Sequence, residues 1–213
     1  RRLREETPPT RVLSDDEEGQ LLAHASPALG LLLEFGLHTG LRCGELIGRH
    51  WSQIDDRRQT GTVEAQRAKS RRTRVIPLNV TALEILADLP SARGKEGSVF
   101  LTHKGTPYTD NGVRSTLAYT VTRLGLKGVS LHTLRHTFCT RALERGVDII
   151  TVQRWMGHAS VTQTMRYAHP SFVHEQQAIR LLETTATRHR NPQISVDVQP
   201  PFQSSLKGAP QTP

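Results

Sequence analysis

Positions 130–136 read S-L-H-T-L-R-H, followed by T-F-C-T-R-A-L-E to position 144. Ser130 is of the type that caps helices, because its hydroxyl can accept from an amide that the first turn leaves unpaired. Leu131, Leu134 and Phe138 then recur at helical spacing, which sets one face of the helix against a core. His132 and Arg135 fall one turn apart beside that apolar stripe, so a helix brings the two side chains onto neighbouring positions. Downstream, to about Glu183, the pattern stays helical, with breaks at Gly146, Gly157 and Pro170. Upstream, Asp110 to Leu124 is a predicted helix, preceded by the short apolar run V-F-L-T at 99–102.

The period changes between Trp51 and Asn79. There G-T-V-E-A-Q (61–66) and T-R-V-I-P-L (73–78) flank the polar R-A-K-S-R-R (67–72), which predicts a small antiparallel sheet with Lys69 near a turn. Ahead of it, Ala28 to Leu37 is apolar on most faces, as in a buried helix, and stops at Thr39 and Gly40. A second short helix then carries Arg42 and Glu45. S-D-D-E at 14–17 is a capping box that opens a helix running to about His24. The fold class is α+β, mainly α-helical, with a small antiparallel β-sheet. Residues 1–10, with Pro8 and Pro9 adjacent, read as a linker, residues 11–183 as the ordered domain, and residues 184–213, rich in Pro, Gln, Ser and Thr, as a disordered tail.

A length of 213 residues suits one well-buried domain with tails. Lys and Arg outnumber Asp and Glu by 28 to 20, a net charge of +8 that favours a polyanionic partner. Most of the excess lies late: 16 basic residues meet 14 acidic ones up to position 109, and 12 meet 6 beyond it. Cys43 and Cys139 are far apart and match no metal spacing, so both read as free thiols in a reducing compartment. With no apolar run of membrane-spanning length, the expectation is a soluble, intracellular protein.

Three clusters hold residues suited to phosphate chemistry. In T-G-L-R-C-G-E-L (39–46) Arg42 enters the first turn of a helix, where free amides and the macrodipole favour anions, and Glu45 at i+3 can brace it. An ordinary surface ion pair has the same spacing. In S-L-H-T-L-R-H, His132 and Arg135 could grip a phosphate and move a proton, while His132 with His136 at i+4 would also suit a metal. In W-M-G-H-A-S-V-T-Q-T-M-R-Y-A-H (155–169), His158 follows the helix-breaking Gly157. Ser160 and Gln163 there form a predicted capping box, and Tyr167 falls about two turns into the helix they open. A tyrosine so placed is equally a packing residue with its hydroxyl in water.

Taken together, the order of these motifs resembles the tyrosine recombinases, or phage integrases, from about Val12 to Glu183. The resemblance places Arg42, Lys69, His132, Arg135, His158 and Tyr167 where that family has its two arginines, lysine, two histidines and nucleophile. It implies cleavage and rejoining of double-stranded DNA through a 3′-phosphotyrosyl bond on Tyr167, with neither metal nor organic cofactor. Arg42, Arg135 and His158 would stabilise charge on the non-bridging phosphate oxygens, His132 would act as base, and Lys69 would protonate the leaving 5′ hydroxyl. It further implies a helical core-binding domain ahead of the catalytic one, a homotetramer on DNA for the full-length protein, and a docking helix at 171–183. The fragment alone is expected to bind DNA weakly as a monomer, and the setting to be the bacterial cytoplasm, at the nucleoid. Rival readings are a type IB topoisomerase-like enzyme or a resolvase relative, and a DNA-binding regulator with a silent active site.

Overall fold

A computed structural model describes residues 11–65, 73–168 and Ile179. The chain divides into two compact units, residues 1–175 and 176–213, and the architecture that follows is that of the first. Helix α1 (Asp15–His24) opens on the predicted capping box: Ser14 Oγ accepts from the Glu17 amide and the Glu17 carboxylate accepts from the Ser14 amide. Helix α2 (Pro27–Thr39) starts at a proline, which costs no hydrogen bond in the first turn. It ends where the sequence places its stop, with Gly40 in the left-handed conformation at φ 62°. Leu29, Leu32, Leu33 and Phe35 of α2 are wholly buried, so this helix runs through the core.

The short α3 (Cys43–Ile47) follows, then a 3-10 turn at Trp51–Gln53 and a three-stranded antiparallel sheet in the order β1 (Ile54–Asp55), β2 (Thr60–Val63), β3 (Arg74–Pro77). The predicted hairpin is therefore present, with Thr60 opposite Pro77 and Val63 opposite Arg74. Its tip, with Lys69, lies outside the described residues. Along β3, Arg74 and Ile76 face inward while Val75 and Pro77 face out, the alternation a half-buried strand imposes.

Helix α4 (Val80–Asp88) has no counterpart among the sequence-predicted elements, although Asn79 caps it and Ala82, Ile85 and Leu86 form its buried face. The run at 99–102 is buried at Val99 and Phe100 but makes only isolated bridges, His50 with Ser98 and Leu101 with Pro107. Left-handed glycines at 97 and 105 turn the chain on either side before a ladder can form. Helix α5 (Asp110–Arg123) is as expected, one residue short of Leu124.

Helices α6 (Leu131–Glu144) and α7 (Ile149–Met156) end near Gly146 and Gly157, as the sequence predicts, and Ser130 caps α6. Helix α8 (Val161–Met165) corrects two expectations. Ser160 makes no side-chain cap: the Gln163 amide donates to the Ser160 carbonyl at 3.2 Å, and Gln163 Oε1 accepts from the Ala159 amide, also at 3.2 Å, rather than from that of Ser160. The helix also closes early, with the Tyr167 amide bonded to the Thr164 carbonyl at 3.0 Å, so Tyr167 sits in the turn past its end rather than two turns within it. The break predicted at Pro170 and the helix predicted at 171–183 fall outside the described residues, apart from Ile179. Among the described residues no helix is long and apolar enough to cross a membrane.

Candidate active site

Two helix C-termini, those of α2 and α7, meet near Gly40 and Gly157. The last carbonyls of a helix have no partner within it and carry the negative end of its dipole. Here arginines take them. Arg135 of α6 donates from Nη1 to the Gly40 carbonyl at 2.6 Å and from Nη2 to that of Met156 at 2.5 Å. Arg42, the N-cap residue of α3, donates from Nη2 to the Gly157 carbonyl at 3.0 Å, and Arg74 of β3 from Nε to the Trp155 carbonyl at 2.7 Å. The glycine at each helix end makes room for a neighbouring side chain. A Cβ at Gly40 would sit 2.3 Å from the Phe138 ring, and one at Gly157 would sit 3.1 Å from the Arg74 guanidinium.

Glu45 binds two of these cations. Its carboxylate accepts from Arg74 at 2.9 and 2.6 Å, from Arg42 Nη1 at 3.2 Å and from the Arg42 amide at 2.9 Å. Burial works to raise the Glu45 carboxyl, but the bonds and charge of Arg74, then those of Arg42, hold it below the usual range. Arg135 is almost fully buried. Burial pushes its guanidinium down to about 9, Arg42 and Arg74 act in the same sense and Glu45 opposes them, so it stays cationic at neutral pH.

His158 follows Gly157, with Nδ1 2.9 Å from the Thr164 hydroxyl and its ring stacked on Tyr167 at 6.2 Å and 17°. Burial, then the charges of Arg135, Arg42, Arg74 and His136, holds this imidazole down at about 4, so the ring is neutral near pH 7. The half-buried Tyr167 packs beside Cys139 and Met156. Its phenol is pushed up by burial and Cys139, while Arg135 and Arg166 pull it down. The His136 ring lies 5.3 Å from Tyr167 and 5.2 Å from His132. Burial, His132 and Arg135 hold His136 at about 4 as well.

Residues 11–174 match the family described as the phage integrase family. The chain belongs to the phage integrase family. It is 37% identical over 145 residues to the tyrosine recombinase XerD of Corynebacterium glutamicum, a match covering 65% of this chain and 47% of that protein. It is 35% identical over 175 residues to XerD of Listeria innocua, covering 75% and 58%. The chain thus spans about half the length of the curated relatives it matches. Among solved structures, the catalytic domain of bacteriophage HP1 integrase aligns with a TM-score of 0.62 and 26% identity, covering 80% of this chain and 94% of that one. The Tn1549 transposon integrase, solved with a circular intermediate DNA, aligns with a TM-score of 0.69 and 22% identity, covering 84% and 68%. The fold is that of the tyrosine recombinase catalytic domain.

Within this integrase fold, Arg42, Arg135, His158 and Tyr167 converge from three separate stretches of the chain, His158 and Tyr167 sharing the last. His132 is exposed on α6 and reaches the group through His136. The sequence reading treated Arg74 only as part of a strand and His136 only as a metal candidate, and it gave Thr164 no role. For Arg74 a signal was present: in a strand, a residue two before the core position Ile76 shares its face. Among the described residues no cluster of three or more His, Cys, Asp and Glu could hold a metal ion, so the pair His132 and His136 finds no third ligand there. Cys43 and Cys139 are free, as expected. Burial pushes each thiol up to about 12, with Asp110 adding to the effect at Cys43, so neither is a nucleophile near neutrality.

Proposed function

We propose that the protein is a site-specific DNA recombinase in which Tyr167 attacks a DNA phosphate and forms a 3′-phosphotyrosyl bond. The observation that carries this reading is the convergence just described, with His158 and Tyr167 stacked beside arginines held at two helix ends. A phosphodiester repels a nucleophile, and charge on its oxygens is redistributed as the fifth bond forms. Fixed donors aimed at that charge cost no reorganisation during the reaction. Arg135 and Arg42 retain N–H groups beyond those bonded to carbonyls and to Glu45, since each guanidinium has five. These bind the non-bridging oxygens, and the neutral His158 adds a hydrogen bond rather than a charge.

The phenol of Tyr167 is protonated at neutral pH, so attack requires that its proton leave as the O–P bond forms. His132 is the family-implied base, and His136 lies against both rings. The leaving 5′ oxygen takes a proton from Lys69. Rejoining reverses these roles, and the phosphotyrosyl bond retains the energy needed without ATP. Double-stranded DNA as substrate is supported by the net charge of +8 and by the relatives' naming as tyrosine recombinases. On DNA the full-length protein assembles as a homotetramer in the bacterial cytoplasm.

The test uses duplexes drawn from DNA flanking the protein's own gene and nicked close to the cleavage point, so that the released fragment diffuses away. A denaturation-resistant protein–DNA adduct is expected with the native protein and none with Tyr167→Phe. An undiminished adduct in that variant would overturn the reading.

A further inference from the structure

Four helical threonines in the described residues share a habit. The hydroxyls of Thr39, Thr116, Thr120 and Thr137 each donate to the carbonyl four residues earlier, at 2.7–3.1 Å. Thr164 departs from it. Its hydroxyl lies 2.9 Å from His158 Nδ1. The residue is wholly buried, and among the described residues that nitrogen is its one side-chain partner. A buried hydroxyl that donates to nothing costs about 1–3 kcal/mol. If Nδ1 carried the ring proton, Nδ1 would donate to the threonine oxygen and the hydroxyl proton would be left in that position.

We infer that Thr164 is a positioning residue that donates its hydroxyl proton to His158 Nδ1 and so holds the imidazole as the Nε2–H tautomer. In a neutral imidazole one nitrogen donates and the other accepts. With Nδ1 occupied, Nε2–H is the ring's single donor, available for a non-bridging oxygen of the scissile phosphate. The groups facing the ring are Arg135, Arg42, Arg74 and His136, and burial among them disfavours a second proton, so the tautomer rather than the charge decides what His158 can do. Thr164 also fixes the other partner of the stack, because its carbonyl accepts from the Tyr167 amide at 3.0 Å. A single side chain thus sets the hydrogen-bonding sense of the histidine while its backbone sets the position of the tyrosine.

The part of this inference that concerns phosphate rests on the proposed recombinase chemistry, whereas the proton's position does not. The test is imidazole ¹⁵N NMR on the full chain labelled at histidine, free of DNA at pH 7, with the His158 signals assigned by their loss in His158→Gln. The native protein is expected to show one tautomer, protonated at Nε2 and hydrogen-bonded at Nδ1. Thr164→Val should shift the Nδ1 resonance to an unbonded position and admit the second tautomer, and Thr164→Ser should restore the native pattern. Adduct formation on the nicked duplex should slow about tenfold in Thr164→Val, the lower end of the cost of losing a partner that orients a metal-bound histidine, with DNA affinity unchanged and Ser restoring the rate. A native spectrum with the proton on Nδ1, or an imidazolium at pH 7, would overturn the inference, and it decides the matter even if the Val variant does not fold. An unchanged spectrum and rate in a folded Thr164→Val would overturn it too. Absence of any Tyr167-dependent adduct in the native protein would count against the recombinase reading alone.

Discussion

The arginine cradle and the tyrosine segment face each other across one site but are built differently. The cradle is assembled from α2, α3, β3, α6 and α7, which span the chain from Gly40 to Gly157, and its side chains are bonded to helix-end carbonyls and Glu45, with Arg74 and Arg135 buried. The tyrosine segment is local. Helix α8 has five residues, too few to be stable alone, and Ser160 gives it no side-chain cap. It is held by the Thr164 hydroxyl on His158, by Gln163 on the Ala159 amide and by the packing of Tyr167 on the α6 and α7 core. Groups that stabilise charge gain most from being fixed in advance. In the proposed chemistry Tyr167 is the group that forms and breaks a covalent bond, and the helix before it is short and held by few bonds.

Breaking the cradle should therefore cost the most. Glu45→Gln leaves the Arg74 guanidinium buried without its carboxylate, and the loss of one partner from a buried pair destabilises by about 3–5 kcal/mol. Urea unfolding should reveal it. The same pair predicts acid sensitivity. Because the folded Glu45 carboxyl lies below its unfolded value of about 4.3, the pair contributes fully above that value, and its contribution is lost as pH falls through the folded value. Unfolding midpoints measured downward from pH 5 should fall less steeply in Glu45→Gln than in the native protein.

Arg135→Ala tests the cradle through chemistry. It should slow adduct formation by a factor equivalent to about 3–4 kcal/mol, by analogy with loss of one oxyanion donor. A substrate with a 5′-bridging phosphorothiolate supplies a leaving group that needs no proton. Lys69→Ala should recover cleavage on it, while Arg135→Ala should not, and equal recovery would place the proton donor elsewhere. The smallest effect is a contrast between caps. Ser14→Ala removes an intact capping box and should cost about 1 kcal/mol, whereas Ser160→Ala removes a hydroxyl that caps nothing and should stay within about 0.5 kcal/mol, both read from thermal unfolding.

This contrast also marks what the sequence made legible. Where one local rule governs, the reading holds: Ser14 with Glu17, the stop at Gly40, the hairpin strands and the breaks at Gly146 and Gly157. Ser160 with Gln163 satisfies the same rule and fails: the Gln163 amide donates to the Ser160 carbonyl and its side chain accepts from the Ala159 amide. The motif order brought Arg42, Arg135, His158 and Tyr167 to one site. Arg74 and Thr164 stayed hidden because their roles depend on partners 29 residues away, at Glu45, and on a hydroxyl rotation that no spacing encodes. Helix α4 was legible in principle, from Asn79 and the spacing of Ala82, Ile85 and Leu86, but it abuts the strand pattern of the hairpin.

On the proposed chemistry Tyr167 carries the DNA, and the chain has only three tyrosines, at 108, 119 and 167. The adduct trapped on a nicked duplex can be digested with nuclease and trypsin and its modified peptide sequenced by mass spectrometry. A nucleotide joined through its 3′ phosphate to the tyrosine of the peptide spanning residues 167–180 is the predicted result, and a nucleotide on Tyr108, Tyr119, a serine or a cysteine would contradict it.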